Sequence, residues 1–150
     1  MIRQIVVSAL LACTAMPAVH AQAEDEARVE SSALLGEWSF IANTDEECSF
    51  TGTALLTRTE DENRFACELT ALQMCSVETW QVRQSCSAVR VGDQLVINST
   101  IEEFLQGQPD GRYRPDNFSL MIKSADYMRG VLISWGSHIA EFRRADGTIS

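Results

Sequence analysis

From Leu34 to Arg144, apolar and polar residues alternate with a period of two, and no segment offers a long helical pattern. A strand sends successive side chains to opposite faces, so this alternation builds sheet with one buried face. Eight strands are predicted, over residues 35–43, 48–59, 64–75, 79–91, 94–104, 117–124, 128–135 and 138–144. The breaks between them are rich in turn formers: Asn43-Thr44-Asp45, Asp61-Glu62-Asn63, Gly92-Asp93, Ala125-Asp126 and Gly136-Ser137. Short links make successive strands pair as antiparallel hairpins. Closing such a sheet on itself removes its exposed edges. The expected fold class is therefore all-β, an eight-stranded antiparallel up-and-down meander closed into a barrel.

Loop lengths set the register. A four-residue loop at Glu60–Asn63 puts Ala54 opposite Leu69 and Gly52 opposite Ala71. A four-residue loop at Cys75–Glu78 puts Leu69 opposite Gln84 and Ala71 opposite Val82. A two-residue turn at Gly92-Asp93 sets Ala88 against Ile97, and a three-residue turn at Ala125–Tyr127 sets Leu120 against Leu132. One inward-facing set satisfies all of these pairings: Gly36, Trp38 and Phe40; Phe50, Gly52, Ala54 and Leu56; Phe65, Leu69 and Ala71; Trp80, Val82 and Ala88; Leu95, Ile97 and Ile101; Phe118, Leu120 and Ile122; Met128, Leu132, Ala140 and Phe142. A slip of one residue would turn the whole set outward. The bulky members predict a mostly filled interior, while Gly52, Ala54, Ala71, Ala88 and Gly130 are the positions that would leave room.

Residues 1–23 read as a secretory signal: Arg3, an apolar stretch from Ile5 to Val19, Pro17, and small-residue cleavage sites at Val19-His20-Ala21 and Ala21-Gln22-Ala23. A rival reading takes Leu10-Leu11-Ala12-Cys13 as a lipobox with a lipidated Cys13. No run is long enough for a transmembrane helix, which needs about 20 apolar residues. Residues 24–33 form a flexible acidic lead-in, residues 34–144 the barrel, and residues 145–150 a C-terminal tail. Without the signal the chain has 11 bases against 21 acids, so the net charge of −9 becomes −10. That balance disfavours a nucleic-acid partner. The expected location is periplasmic or secreted, in a bacterium.

Four cysteines then remain, an even number that suggests two disulfides in an exported chain. Four cysteines allow three pairings. The register sets Cys48 opposite Cys75 and Cys67 opposite Cys86, and so favours those two among the three.

The run Leu35-Gly36-Glu37-Trp38 places a Gly-x-Trp on the first strand of the meander. In this the chain resembles the calycin superfamily of lipocalins, avidins and related barrels. In size, export signal and cysteine content it is most similar to the small bacterial metalloprotease-inhibitor barrels. The resemblance implies that Trp38 packs across the closed end beneath a cation from the last strand, for which Arg143 and Arg144 are the candidates. It also implies an inhibitory N-terminal segment. Here that segment is Glu24 to Ser32, which is strongly acidic and has no match to the family's inhibitory tail.

In a meander alternate loops share an end, so the loops near 43–47, 75–78, 105–116 and 135–138 should lie together. The loop Leu105–Asp116 is long and turn-rich, and Arg112, Tyr113 and Arg114 are its most contact-capable residues. Trp135 and His138 flank the last turn at the same end. Aromatic residues and arginine are the usual anchors of a binding surface. His138 has no matching nucleophile or ligand set, the acid clusters Asp45-Glu46-Glu47 and Glu60-Asp61-Glu62 lack the spacing of a calcium loop, and no cofactor motif is present. The expectation is a non-enzymatic binding protein without metal or cofactor, contacting a protein partner such as an exported hydrolase or protease. The alternative is a carrier of a small apolar ligand inside the barrel.

Overall fold

The computed structural model describes residues 28–44 and 48–145. The signal read at 1–23, Cys13, the first part of the lead-in and the end of the tail lie outside the described residues. A 3-10 turn over Ser31–Leu34 leads into β1 (Gly36–Ala42), β2 (Cys48–Arg58), β3 (Arg64–Cys75), β4 (Thr79–Val91), β5 (Gln94–Gln106), β6 (Asn117–Ser124), β7 (Tyr127–Ile133) and β8 (Ser137–Arg144). Each strand pairs antiparallel with the next, and β8 returns to β1, so the sheet is a closed eight-stranded barrel in meander order.

The hairpin geometry follows from the loop lengths. Ala54 faces Leu69, Gly52 faces Ala71, Leu69 faces Gln84 and Ala88 faces Ile97, as expected. One pairing is corrected. Leu120 lies opposite Gly130, not Leu132, which instead faces Phe118. The turn there holds two residues rather than three, because Ser124 pairs with Tyr127, and an irregularity between Ile122 and Ser124 shifts the register further. The net shift is two residues, so the parity survives and every inward side chain stays inward.

The core is the inward face of all eight strands. Phe40, Phe50, Phe118 and Phe142 cluster in its middle, with ring centroids 5.0–5.8 Å apart. Gly52 leaves no room there, since a Cβ at that position would collide with the Phe40 ring. Gly130 is small for another reason: its Cβ would run into the Ser119 carbonyl on the neighbouring strand.

Both disulfides join cross-strand partners on the inward face, Cys48 to Cys75 and Cys67 to Cys86. The first sits at the rim where β2 begins and β3 ends. The second lies nearer the opposite end. Two disulfides fit an oxidising compartment such as the periplasm or the extracellular space.

The closed end is capped by the segment before β1. Leu34 and Trp38 have no exposed surface, and the Trp38 indole Nε1 donates to the Leu34 carbonyl at 2.9 Å. The Arg144 guanidinium lies 4.1 Å from the Trp38 ring centroid. It donates to the carbonyls of Leu35 at 2.7 Å, Ala125 at 3.0 Å, and Ala33. Arg143 points the other way and covers Tyr127 at 4.6 Å. The part of the lead-in that is described, from Arg28 on, docks on the barrel: Val29 packs on the core, and Arg28 donates to the Gly92 carbonyl at 3.4 Å.

Candidate functional site at the open end

β5 pairs with β6 only from Gln94 to Ile97. Register shifts at Gln81/Val82 and Arg83/Gln84 curl the rest of β5 along β4. Beyond Ile97 the seam between β5 and β6 therefore lacks its ladder. Side-chain hydrogen bonds fill in: the Asn117 carboxamide oxygen, at the start of β6, accepts from the Ser99 N–H at 2.9 Å, and the Ser99 hydroxyl donates to the Asp116 backbone carbonyl at 2.6 Å. The loop that seals the seam is residues 107–116, shorter than expected because Leu105 and Gln106 extend β5.

Gly107 starts the loop with φ +89, a conformation that disfavours any side chain, and a Cβ there would strike the Trp80 ring. The loop thus lies flat on Trp80. Tyr113 inserts between Trp80 and Phe104, with ring centroids 6.2 and 6.0 Å away, and is 5% exposed. Its hydroxyl donates to Asp116 Oδ2 at 2.5 Å. Gln84, projecting inward from β4, donates to the same oxygen at 2.5 Å and accepts from the Asp116 backbone N–H at 3.0 Å. Asp116 Oδ1 is buried and has no partner among the described residues. Burial pushes the Asp116 carboxyl up to about 6, against the pull of the donors from Tyr113, Gln84 and Ser134. Burial, and then the Asp116 charge, push the Tyr113 phenol up as well.

Outside this plug the rim is polar and aromatic. Arg112 pairs with Glu78 at 2.7 Å and with Asp110 at 2.5 Å, and its guanidinium lies 5.7 Å from the Trp80 ring. Its hydrogen bond to Asp110 holds that carboxyl below its ordinary value. Trp135 is 61% exposed, yet it is fixed: its Nε1 donates to the Arg112 carbonyl at 2.6 Å, and Arg114 stacks on it at 4.5 Å. Ser134 ties the same turn to the Arg114 carbonyl at 3.4 Å. His138 is half-buried at the start of β8, opposite Leu132.

Of the residues expected at this end, Arg112, Arg114 and Trp135 come together on the surface. Tyr113 does not join them, because its ring is inside the barrel. Sequence reasoning missed Asp116 and Gln84. A signal for Gln84 was present: it sits on the inward row of β4 between Val82 and Ala88, where an amide needs a buried partner.

No known protein family matches the chain in sequence, and no curated protein matches it significantly. Among solved structures it is similar to designed barrels. A redesigned β-barrel, b11L5F_LGL, superposes with a TM-score of 0.58 at 11% identity, covering 80% of this chain and 98% of that one. Another redesigned barrel, mFAP1, bound to DFHBI, gives 0.53 at 13% identity, with 77% and 98% covered. A third barrel, from the de novo design of a fluorescence-activating β-barrel, gives 0.50 at 17% identity, with 77% and 96% covered. At these identities the likeness concerns the fold.

Proposed function

We propose that this chain is a non-enzymatic, calycin-like exported barrel that grips a protein partner with its open rim, Trp135 being the anchor. The observation that carries the reading is a large indole left 61% exposed while held in one orientation by a hydrogen bond and a stacked guanidinium. An exposed side chain that is already ordered loses little freedom on binding. Tryptophan and arginine are the residues most often found at the energetic centre of an interface.

The surrounding surface supports the same end. Of the ten exposed large hydrophobic residues among the described residues, seven sit in its half of the barrel: Ile41, Met74, Val77, Leu105, Ile133, Trp135 and Ile139. Apolar exposure biased to one end is what a contact surface requires. The partner class suggested by the calycin-like reading is an exported hydrolase or protease. Carriage of a small apolar ligand, by analogy with a neighbour bound to DFHBI, asks for space that the four-phenylalanine cluster occupies.

The test is capture from an exported-protein fraction by the wild-type chain, by Trp135→Ala and by Val91→Ser, an exposed site at the other end. A partner retained by the wild type and by Val91→Ser, and released by about tenfold or more in Trp135→Ala, is the expected result. Equal capture by all three, or no partner at all, would remove the reading. Trp135→Ala should lose about 1–2 kcal/mol of stability, the worth of its hydrogen bond to the Arg112 carbonyl and its stacking with Arg114, and remain folded.

A further inference from the structure

Acids outnumber bases 21 to 12 in this chain, yet four arginines converge at the closed end. Arg28, Arg58, Arg64 and Arg90 line a groove of about 370 Å³ between the segment before β1 and the β2–β3 turn. Arg90 projects from the inward face of β4 and is 5% exposed. Its Nε donates to the Gly92 carbonyl at 2.8 Å and its Nη1 to the Ser31 hydroxyl at 3.0 Å. Its Nη2 is buried and has no partner among the described residues. None of the ion pairs among the described residues includes Arg90 or Arg58.

A buried cation without a counter-charge is costly, and a guanidinium cannot shed its proton to escape the cost. The groove also carries three carboxylates, Glu30, Asp61 and Glu62, and one of these is taken by Arg64 at 3.5 Å. Four guanidinium groups against three carboxylates leave an excess of one positive charge. That excess balances a monoanion better than a phosphate dianion. Val29, Leu35 and Phe65 add apolar wall beside the charge. The volume lies near the lower end of the range for small-ligand sites, roughly 300–1,000 Å³.

We propose that this groove binds a small monocarboxylate with an apolar body, its head paired with Arg90. The site is at the end of the barrel away from Trp135 and does not depend on the protein-binding reading. The Arg90 Nη2 is buried in this structure, so the guanidinium must turn toward the groove to make the missing charge-assisted hydrogen bond, and Arg58 adds attraction from the rim.

The experiment is an NMR titration of the natively exported protein with octanoate, and separately with inorganic phosphate, following the arginine Nε–Hε signals. Octanoate should shift the Arg90 signal saturably, and phosphate should not. Arg90→Met should weaken octanoate by about tenfold or more, the worth of one charge-assisted hydrogen bond. Because Arg90→Met could fail to fold, Arg58→Gln on the exposed rim is the second variant, expected to weaken octanoate by about threefold with stability unchanged. Arg129→Gln, on the outer wall, should bind as wild type. The proposal is overturned if octanoate does not saturate, if phosphate binds more tightly, or if Arg58→Gln and Arg90→Met bind as wild type. It is also overturned if binding appears only after Glu24→Gln, Asp25→Asn and Glu26→Gln are introduced together, since the chain's own lead-in would then be the groove's anion.

Discussion

At the closed end a guanidinium lies over an indole, Arg144 over Trp38, and its protons go to three backbone carbonyls. At the open end a carboxylate lies under a loop, and Asp116 takes its protons from a phenol and a carboxamide. The Arg144 side chain is 27% exposed and its Nε also lies 4.0 Å from the Asp126 carboxylate, whereas Asp116 is 1% exposed and meets only neutral donors. The chemistry of the two charges differs. A guanidinium stays ionised at any ordinary pH, whereas the Asp116 carboxyl, raised to about 6, changes its charge near neutrality. The closed end is a permanent closure, and the open end is a conditional one.

The largest test of this contrast is Trp38→Ala. The indole has no exposed surface, carries the hydrogen bond to Leu34 and forms the face under Arg144. Its removal should cost about 3–5 kcal/mol in denaturant unfolding. It also leaves the Arg144 charge without its aromatic partner. A loss below about 1 kcal/mol, the usual effect of a point change, would mean that the closed end does not anchor the barrel.

The disulfides sharpen the comparison, since there is one toward each end. They close 27 residues at the open rim and 19 near the closed end. Loop entropy alone gives each about 3 kcal/mol and separates them by only about 0.3 kcal/mol, with the longer loop ahead. Burial should reverse that order. Cys67 is 6% exposed within the core and its partner Cys86 is half-buried, while Cys48 and Cys75 both sit half-buried at the rim. Serine at 67 buries a hydroxyl in apolar surroundings, which costs about 1 kcal/mol or more beyond the lost staple, whereas serine at 86, 48 or 75 stays half-buried. Unfolding of the two double variants should therefore rank 67/86 as the more damaging. The opposite ranking would assign their effect to the unfolded chain rather than to the core.

How much of this was legible in the sequence differs along the chain. The register of β2 to β5 could be counted because its turns are short and the side-chain period is two. The β6–β7 pairing could not, because one irregularity near Lys123 changes the count without changing the pattern. The Trp38 closure could be anticipated from Gly36-x-Trp38, and the inward row of Ala140 and Phe142, continued by two, already points to Arg144 rather than Arg143. The partners of Asp116, Gln84 and Arg90 were not legible, for a different reason. Loops have no period, and a polar residue on an inward row announces only that it needs a partner, not which one. Tyr113 shows the cost of reading a loop from composition. A contact-capable side chain in a polar segment was as suited to plugging the mouth as to facing solvent.

The open end makes the subtlest prediction. Asp116 ordinarily titrates near 3.8, and burial in the fold raises it to about 6. A raised acid binds its proton more tightly in the native state, so its contribution to stability is fully present below about 4. That contribution is lost as pH rises through about 6. Asp116→Asn has no such charge to lose. The stability of Asp116→Asn relative to wild type should therefore improve between pH 4 and pH 8 by an amount on the order of 2 kcal/mol. The comparison across pH matters more than the offset, because the asparagine amide replaces a partnerless Oδ1 and carries a fixed cost of its own. Denaturant unfolding of both proteins across this range reads the difference, and parallel curves would exclude the titration. Arg144→Met measured alongside should bend less with pH than Asp116→Asn, since its guanidinium stays ionised throughout that range. If both variants bend equally with pH, the charge that titrates is elsewhere, and the open end is no more conditional than the closed one.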